Sequence, residues 1–387
     1  MNGKTKLKIE LLCHGIRINE DEPYFKDIVP DKYAEGGKSR AGVAGSGKSF
    51  LLQNKQSCNI GVLQPFLSDS PFEFKIIDNK GWILKNGEKT VNATLMEPGW
   101  HNSSISNIIQ LHGKDTLATA LSNFCIYKKE NRGCKFCIID VGNEIIYRNP
   151  LQVARSIEII EKTPELRVCS NIKDRYNPNL TEEDILKRTK LIEPRDININ
   201  SGAFLDEQKF YEETLNEVRK VSKLPIFIEI GPLNKEQLEK MHSLGLNSVS
   251  FNLEVYSKPA RKEVIPGKAD KFNTDDYFKA MTTANNILGE NQVSSWILIG
   301  LEPPNETIEG IRKIAETGAI PLPKPFRPLY GAEFENTKPP SVDDALLIYT
   351  EWLDIMREYG LKPKKALAGC VRCGACFPIK ELMRYGL

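Results

Sequence analysis

The run Pro225-Ile-Phe-Ile-Glu-Ile230, followed by Lys235-Glu-Gln-Leu-Glu-Lys-Met-His-Ser-Leu244 and by Ser248-Val-Ser-Phe-Asn-Leu253, decides the fold class. The outer segments are short apolar runs and the middle one is amphipathic at helical spacing, so together they read as a βαβ unit with parallel strands. The alternation continues on both sides. Strands are expected at Leu117–Cys125, Asp196–Ser201, Pro225–Ile230, Ser248–Leu253, Ser294–Gly300 and Ile320–Phe326. Helices are expected at Leu151–Glu161, Gln208–Val221, Lys235–Leu244, Thr274–Leu288, Thr307–Thr317 and Val342–Tyr359. Six units predict an α/β protein whose residues 116–359 form a partial, TIM-like (βα)6 barrel.

Residues 1–115 have another texture, with β-like runs at Lys6–Leu12, Glu73–Ile77 and Gly81–Leu84 among Gly/Ser-rich loops. They read as an N-terminal accessory domain, β-rich or α+β. Residues 360–387 form a Cys-rich C-terminal extension, expected to close over one end of the barrel. The 387 residues hold 53 Lys+Arg against 51 Asp+Glu, and a net charge of +2 excludes a global field that recruits nucleic acid or an anionic membrane. No apolar run reaches the ~18 residues of a spanning helix, and Met1–Glu10 lacks a signal-peptide core, so a cytoplasmic location is expected.

Gly42-Val-Ala-Gly-Ser-Gly-Lys48-Ser49 fits a phosphate-loop pattern, in which backbone N–H groups cradle phosphates and the Lys reaches the outer ones. Such a loop needs a buried strand before it and a helix after it. Tyr33–Arg40 is instead polar and glycine-rich, and Phe50–Asn54 soon meets Ser57-Cys-Asn59. Cys137-Ile-Ile-Asp140 imitates a strand ending in a Mg²⁺-binding Asp. A P-loop ATPase stays open as an alternative, with Lys48 its phosphate contact.

Nine cysteines without an export signal point to thiols kept for metal or catalysis. Cys125, Cys134 and Cys137 form a Cys-x8-Cys-x2-Cys array after the first barrel strand, on the face where barrel active sites are built. Three thiolates on one loop can hold three irons of a [4Fe–4S] cube and leave the fourth iron open to a substrate. Zinc is the competing reading, with Cys134 and Cys137 as a C-x-x-C pair in a non-catalytic binding protein. Cys370-x2-Cys373-x2-Cys376 has the compact spacing of an auxiliary iron–sulfur cluster or a zinc site. Its fourth ligand is undetermined: Cys13, Cys58, Cys169, a non-Cys group or an open iron would all serve.

The first array resembles the radical S-adenosylmethionine (SAM) superfamily, with Phe136 in the aromatic place before the last Cys. The first spacing, eight residues, is longer than the usual three. Asn200-Ser201-Gly202, Phe251-Asn252-Leu253-Glu254 and Ser294–Glu302 extend the likeness to the biotin synthase-like branch. A closer resemblance is to a radical SAM family often encoded beside nitrilases. It rests on Lys38–Gly45, the long Cys spacing, Val264–Ala269, Asn291–Trp296 and Ala368–Cys376.

The resemblance implies a SAM-binding [4Fe–4S] cluster on Cys125, Cys134 and Cys137. It places Asn200, Ser201 and Gly202 at the SAM amino group, Asn252 and Glu254 at the ribose, and Ser295 and Gly300 in the strand that packs on adenine. The branch uses an Arg after the fourth strand for the SAM carboxylate; here Asp276–Ala280 lacks it, and Lys279 or Lys268 is the substitute. The implied activity is reductive cleavage of SAM to a 5′-deoxyadenosyl radical that acts on a small molecule, with an electron donor such as ferredoxin or flavodoxin. Glu229, Arg327 and Tyr330 are the substrate candidates. His14, His101, His112 and His242 have no metal spacing.

Overall fold

The computed structural model of the chain describes residues 3–19, 47–53, 55–62, 64–78, 80–101, 103–139, 145–169, 179–181, 183–184 and 190–386. The Lys6–Leu12 run, expected as a strand, lies in a helix, Gly3–His14. Its alternating apolar residues serve two cores. Leu11 and Leu12 pack with Phe50, Ile60 and Phe72, while Ile9 and Cys13 pack against the barrel. A helix clasped from several sides has no need of a single apolar stripe, so its period was not visible.

Six strands follow: β1 (Arg17–Ile18), β2 (Gly47–Leu52), β3 (Ser57–Gly61), β4 (Phe72–Ile77), β5 (Lys80–Lys85) and β6 (Glu88–Leu95). They form one sheet in the order β1-β4-β5-β6-β2-β3, antiparallel except at β1–β4. Gly47, Lys48 and Ser49 open β2 and pair with Gly61, Ile60 and Asn59. An extended strand cannot curl its N–H groups around a phosphate at a helix start, so the phosphate-loop reading fails over these residues. Residues 42–46, the Lys38–Gly45 match and Asp140 lie outside the described residues.

The second sheet has the order β15-β14-β13-β12-β11-β8-β7. It comprises β7 (Gln110–His112), β8 (Thr116–Ala120), β11 (Asp196–Asn200), β12 (Ile226–Glu229), β13 (Leu246–Ser250), β14 (Val293–Ile299) and β15 (Ile320–Pro325); β9 (Val168–Cys169) and β10 (Lys190–Leu191) pair separately. All neighbours in this sheet run parallel except β7, which returns antiparallel along β8. Helices Pro150–Lys162, Glu207–Val221, Lys235–Ser243, Thr274–Leu288, Pro304–Glu316 and Val342–Glu358 intervene as expected. The result is a partial (βα)6 barrel.

Local chemistry explains the joints. Asn234 caps Lys235–Ser243 reciprocally with Gln237, its Oδ1 accepting from Gln237 N at 2.9 Å. Pro321, Pro323 and Pro325 lack N–H groups, and β15 is an outer strand, where a missing donor breaks no ladder. Trp352 Nε1 and Tyr349 Oη donate to the carbonyls of Pro321 and Pro323 at 2.9 and 3.0 Å, which satisfies that edge.

The C-terminal extension docks at the strand starts. Arg372 donates to Asp115, Thr116 and Asp196 at 2.8, 2.7 and 2.6 Å, and Gly369 N donates to Asp196 Oδ2 at 2.6 Å. Asn291 Oδ1 accepts from Lys362 N, and Gln292 binds the backbone of Lys365 and Leu367, which gives the Asn291–Trp296 segment a structural task. Phe377 packs edge-on to Trp296 and Trp352. Among the described residues no helix is long and apolar enough to cross a membrane.

Candidate active site

A cavity of about 550 Å³ occupies the barrel mouth and is lined by residues of both cysteine arrays. Cys125, Cys134, Phe136 and Cys137 form its rim beyond the strand ends; Cys370 and Cys376 form its floor. Asn198, Asn200, Glu229, Asn252, Glu254, Trp296, Leu298 and Lys324 supply the wall. This is the size of a small-molecule site.

The rim loop is clamped by the segments that carried the resemblance. A Cβ on Gly202 would lie 2.0 Å from the Phe124 carbonyl oxygen, so only glycine lets this turn meet the loop that carries Cys125. Ile126 N donates to Ala203 O at 2.8 Å. From the other side, Gly267 N donates to Arg132 O at 2.8 Å and Lys135 N to Val264 O at 2.9 Å. Burial pushes the Cys134 thiol up to about 12, with Cys137 and Cys125 adding to the rise, and burial also raises Cys137. Bare thiolates are therefore disfavoured, and a cationic metal group is what would hold them ionised. Among the described residues no three His, Cys, Asp or Glu groups converge on a point as a lone ion demands.

Three oxygens on the β11 side, Asn198 Oδ1, Asn200 Oδ1 and Ser201 Oγ, are buried without a hydrogen-bond partner among the described residues. Each orphan costs about 1–3 kcal/mol unless a bound donor pairs it. Glu254 has φ +68°, a left-handed backbone rare for a side-chain-bearing residue. Its N–H donates to Trp296 O at 2.9 Å and its O accepts from Leu298 N at 2.7 Å, which holds the strained residue in place. The carboxylate receives Lys268 Nζ at 3.0 Å. Burial alone would lower Lys268, but Glu254 and Cys134 hold its pKa well above the usual range. Asn252 Nδ2 donates to Glu229 Oε2 at 2.9 Å, and burial raises the Glu229 carboxyl.

Several expected positions are elsewhere. Trp296 and Leu298 face the cavity, so by strand alternation Ser295 faces away, its Oγ accepting from Leu253 N at 3.1 Å. Gly300 is exposed and meets Pro340. Lys279 is an exposed helical residue, whereas Lys268 lines the cavity. Arg261, the arginine after the fourth strand, is buried and donates to Leu253 O, Val255 O and Phe272 O, so it braces the loop. Arg327 lines the cavity bound to Asn59, and Tyr330 is on the following turn outside it.

Sequence reasoning missed His112, Lys324 and Glu207. His112 closes β7 and lies between the terminal thiols, Nδ1 3.5 Å from Cys373 Sγ and Nε2 3.3 Å from Cys376 Sγ. Burial alone would lower His112, but Cys376 and Cys373 raise it; burial would likewise raise both thiols, yet His112 brings Cys373 down and Cys376 to about 6. Burial, then Glu229, raises Cys370. No spacing signal announces His112, which is 261 residues from Cys373. Lys324 was legible as a lone charge in an apolar strand. By contrast, His242 Nδ1 simply meets Leu246 O at 3.1 Å.

No protein-family model matches the chain. Over 132 residues it is 31% identical to the bacteriochlorophyllide c C-7(1)-hydroxylase of Chlorobaculum limnaeum, covering 34% of this chain and 32% of that protein. Among solved structures, it is similar to HydG, a maturase of the [FeFe]-hydrogenase, at 15% identity and TM-score 0.44 over 65% of this chain and 52% of that one. Methylornithine synthase (PylB) gives 16%, TM-score 0.40 and coverages of 65% and 72%. Coproporphyrinogen III oxidase (HemN) from Escherichia coli, described as a radical SAM enzyme, gives 15%, TM-score 0.38 and coverages of 59% and 50%. The match to the curated hydroxylase thus spans about a third of that relative's length.

Proposed function

We propose that the chain is a radical SAM enzyme whose rim cysteines hold a [4Fe–4S] cluster and whose cavity holds SAM and a small-molecule substrate. The carrying observation is that Cys125, Cys134 and Cys137, the unpaired Asn200 and Ser201 oxygens and the Glu254–Lys268 pair all border one cavity. When bound, the cluster and SAM supply one-electron cleavage of a carbon–sulfur bond and so a 5′-deoxyadenosyl radical.

The protein's part is positional. Asn200 Oδ1 and Ser201 Oγ are acceptors for an ammonium, Glu254 for ribose hydroxyls, and Lys268 is the cation for a carboxylate. Trp296 and Leu298 give an apolar wall that keeps water from a reactive radical. Glu229, buried between Asn198 and Asn252, faces the substrate space with a carboxyl whose pKa burial raises. Arg327 adds a fixed positive charge there. The terminal cysteines are assigned to a second iron–sulfur cluster, and a ferredoxin or flavodoxin is the reductant. Val264–Ala269 and Asn291–Trp296 support the nitrilase-associated branch, and a cytoplasmic site of action suits the free thiols.

Anaerobic protein reduced with dithionite should show a [4Fe–4S]⁺ paramagnetic signal that shifts on adding SAM. Cys134→Ala should abolish 5′-deoxyadenosine release while retaining the fold. Zinc without iron after reconstitution, or undiminished release in Cys134→Ala, refutes the assignment and returns the zinc-site reading.

A further inference from the structure

We infer that His112 supplies the fourth protein ligand of the second cluster, completing a three-cysteine, one-histidine set on the cavity floor. The inference rests on assigning Cys370, Cys373 and Cys376 to an iron–sulfur cluster, and is independent of SAM chemistry at the rim. The imidazole is in contact with two of the three thiols, at 3.5 and 3.3 Å. The cysteines that the sequence left as candidates are differently placed: Cys13 and Cys58 belong to the apolar cores around helix Gly3–His14, and Cys169 packs on Met96.

The turn that carries the thiols is held from several elements. Gly374, at φ +63°, ends the Gly369–Cys373 helix and reverses the chain so that Cys376 comes back towards Cys373. Lys8 Nζ donates to Gly374 O at 2.7 Å, Asn59 N to Ala375 O at 2.9 Å and Lys380 Nζ to Cys373 O at 2.8 Å. Gly113, adjacent to His112, has no Cβ where one would lie 2.6 Å from Cys373 Sγ. The histidine strand and the cysteine turn are thus fitted to each other at a glycine.

Four protein ligands leave no open iron, which separates this centre from the rim array. Its cavity-facing thiols, Cys370 and Cys376, put it beside Glu229 as an electron carrier for the reaction space rather than a substrate-binding iron. One imidazole nitrogen would bind iron and the other keep its thiolate hydrogen bond. A neutral imidazole in place of a thiolate makes a cluster easier to reduce.

The test uses the full chain with Cys125, Cys134 and Cys137 all changed to Ala, so that any iron left belongs to the floor. After anaerobic reconstitution this variant should hold iron and labile sulfide in equal amounts. Adding His112→Gln should lower the iron at least fivefold, and His112→Cys should restore it with a more negative midpoint potential. Cys58→Ser in the same background should keep the iron, and circular dichroism should report a common fold. Loss of all iron from the triple variant, or zinc in its place, overturns the second cluster; unchanged iron and potential in His112→Gln or His112→Cys overturn the histidine ligand. A floor cluster in protein whose rim gives no SAM-sensitive signal would sink the SAM reading alone.

Discussion

Gly202→Ala probes the contact between the turn after β11 and the rim loop by steric means alone. The added methyl would sit 2.0 Å from Phe124 O, 2.9 Å from Phe124 C and 2.6 Å from Ile139 Cδ1, where ordinary contact begins at 3.4 Å. The Phe124–Cys125 peptide would have to retreat by the difference, about 1.4 Å, and most of its partners are backbone. Such a shift breaks the Ile126 N to Ala203 O bond, now 2.8 Å, and carries Cys125 with it. Overpacking of this kind costs about 1–3 kcal/mol of stability. A misplacement of ~1 Å at a reacting centre costs about 100-fold in rate. Denaturant unfolding and SAM-dependent 5′-deoxyadenosine release would read the two effects separately. Gly3→Ala is the control, since a Cβ there meets nothing within 4 Å. A Gly202→Ala protein with wild-type stability and cleavage rate would refute the claim that this turn positions the array.

Lys268→Met should weaken SAM binding at least tenfold, about 1.4 kcal/mol, in equilibrium titration, while Lys279→Met leaves it unchanged; the reverse order would exchange their roles. Lys8, only 1% exposed, binds Glu381 at 3.1 Å and Gly374 O at 2.7 Å. Lys8→Met should therefore lower unfolding free energy by about 3–5 kcal/mol by leaving a buried carboxylate unpaired, and Lys8→Met with Glu381→Leu should recover much of the loss. A neutral single variant would show that the pair is not what holds the turn. Burial raises Glu207 to about 7 from 4.5, so the protonated form is favoured in the fold. The stability from this group is complete below pH 4.5 and is lost as pH rises through about 7. The melting temperature of Glu207→Gln relative to wild type, both without SAM, should climb between pH 5 and 8; parallel curves would refute the shift.

Local pattern was enough for the barrel, because each βα unit writes its own periods into a short stretch. Thr274–Leu288 is observed as read, and the other five helices differ by a few residues at their ends. The first strand was drawn too long: β8 stops at Ala120 because the chain leaves the sheet there to form the cysteine loop. Helix Gly3–His14 was misread because its apolar residues answer two partners distant in sequence, a demand no local period records.

At the site, cysteine spacing marked both arrays, since residues close in sequence are close in space. Which side chains face the cavity was a question of strand parity, and a one-residue error exchanged Ser295 for Trp296. Finding Lys268 rather than Lys279 on the cavity wall, and Arg261 engaged with backbone carbonyls, required knowing which helical turn returns to the rim. His112 was beyond sequence altogether. Its contact with Cys373 and Cys376 arises only when the antiparallel strand β7 is laid against the barrel and the C-terminal extension closes over the same strand ends. Residues near in sequence reveal their chemistry by spacing; residues 261 apart meet only through the packing of everything between them.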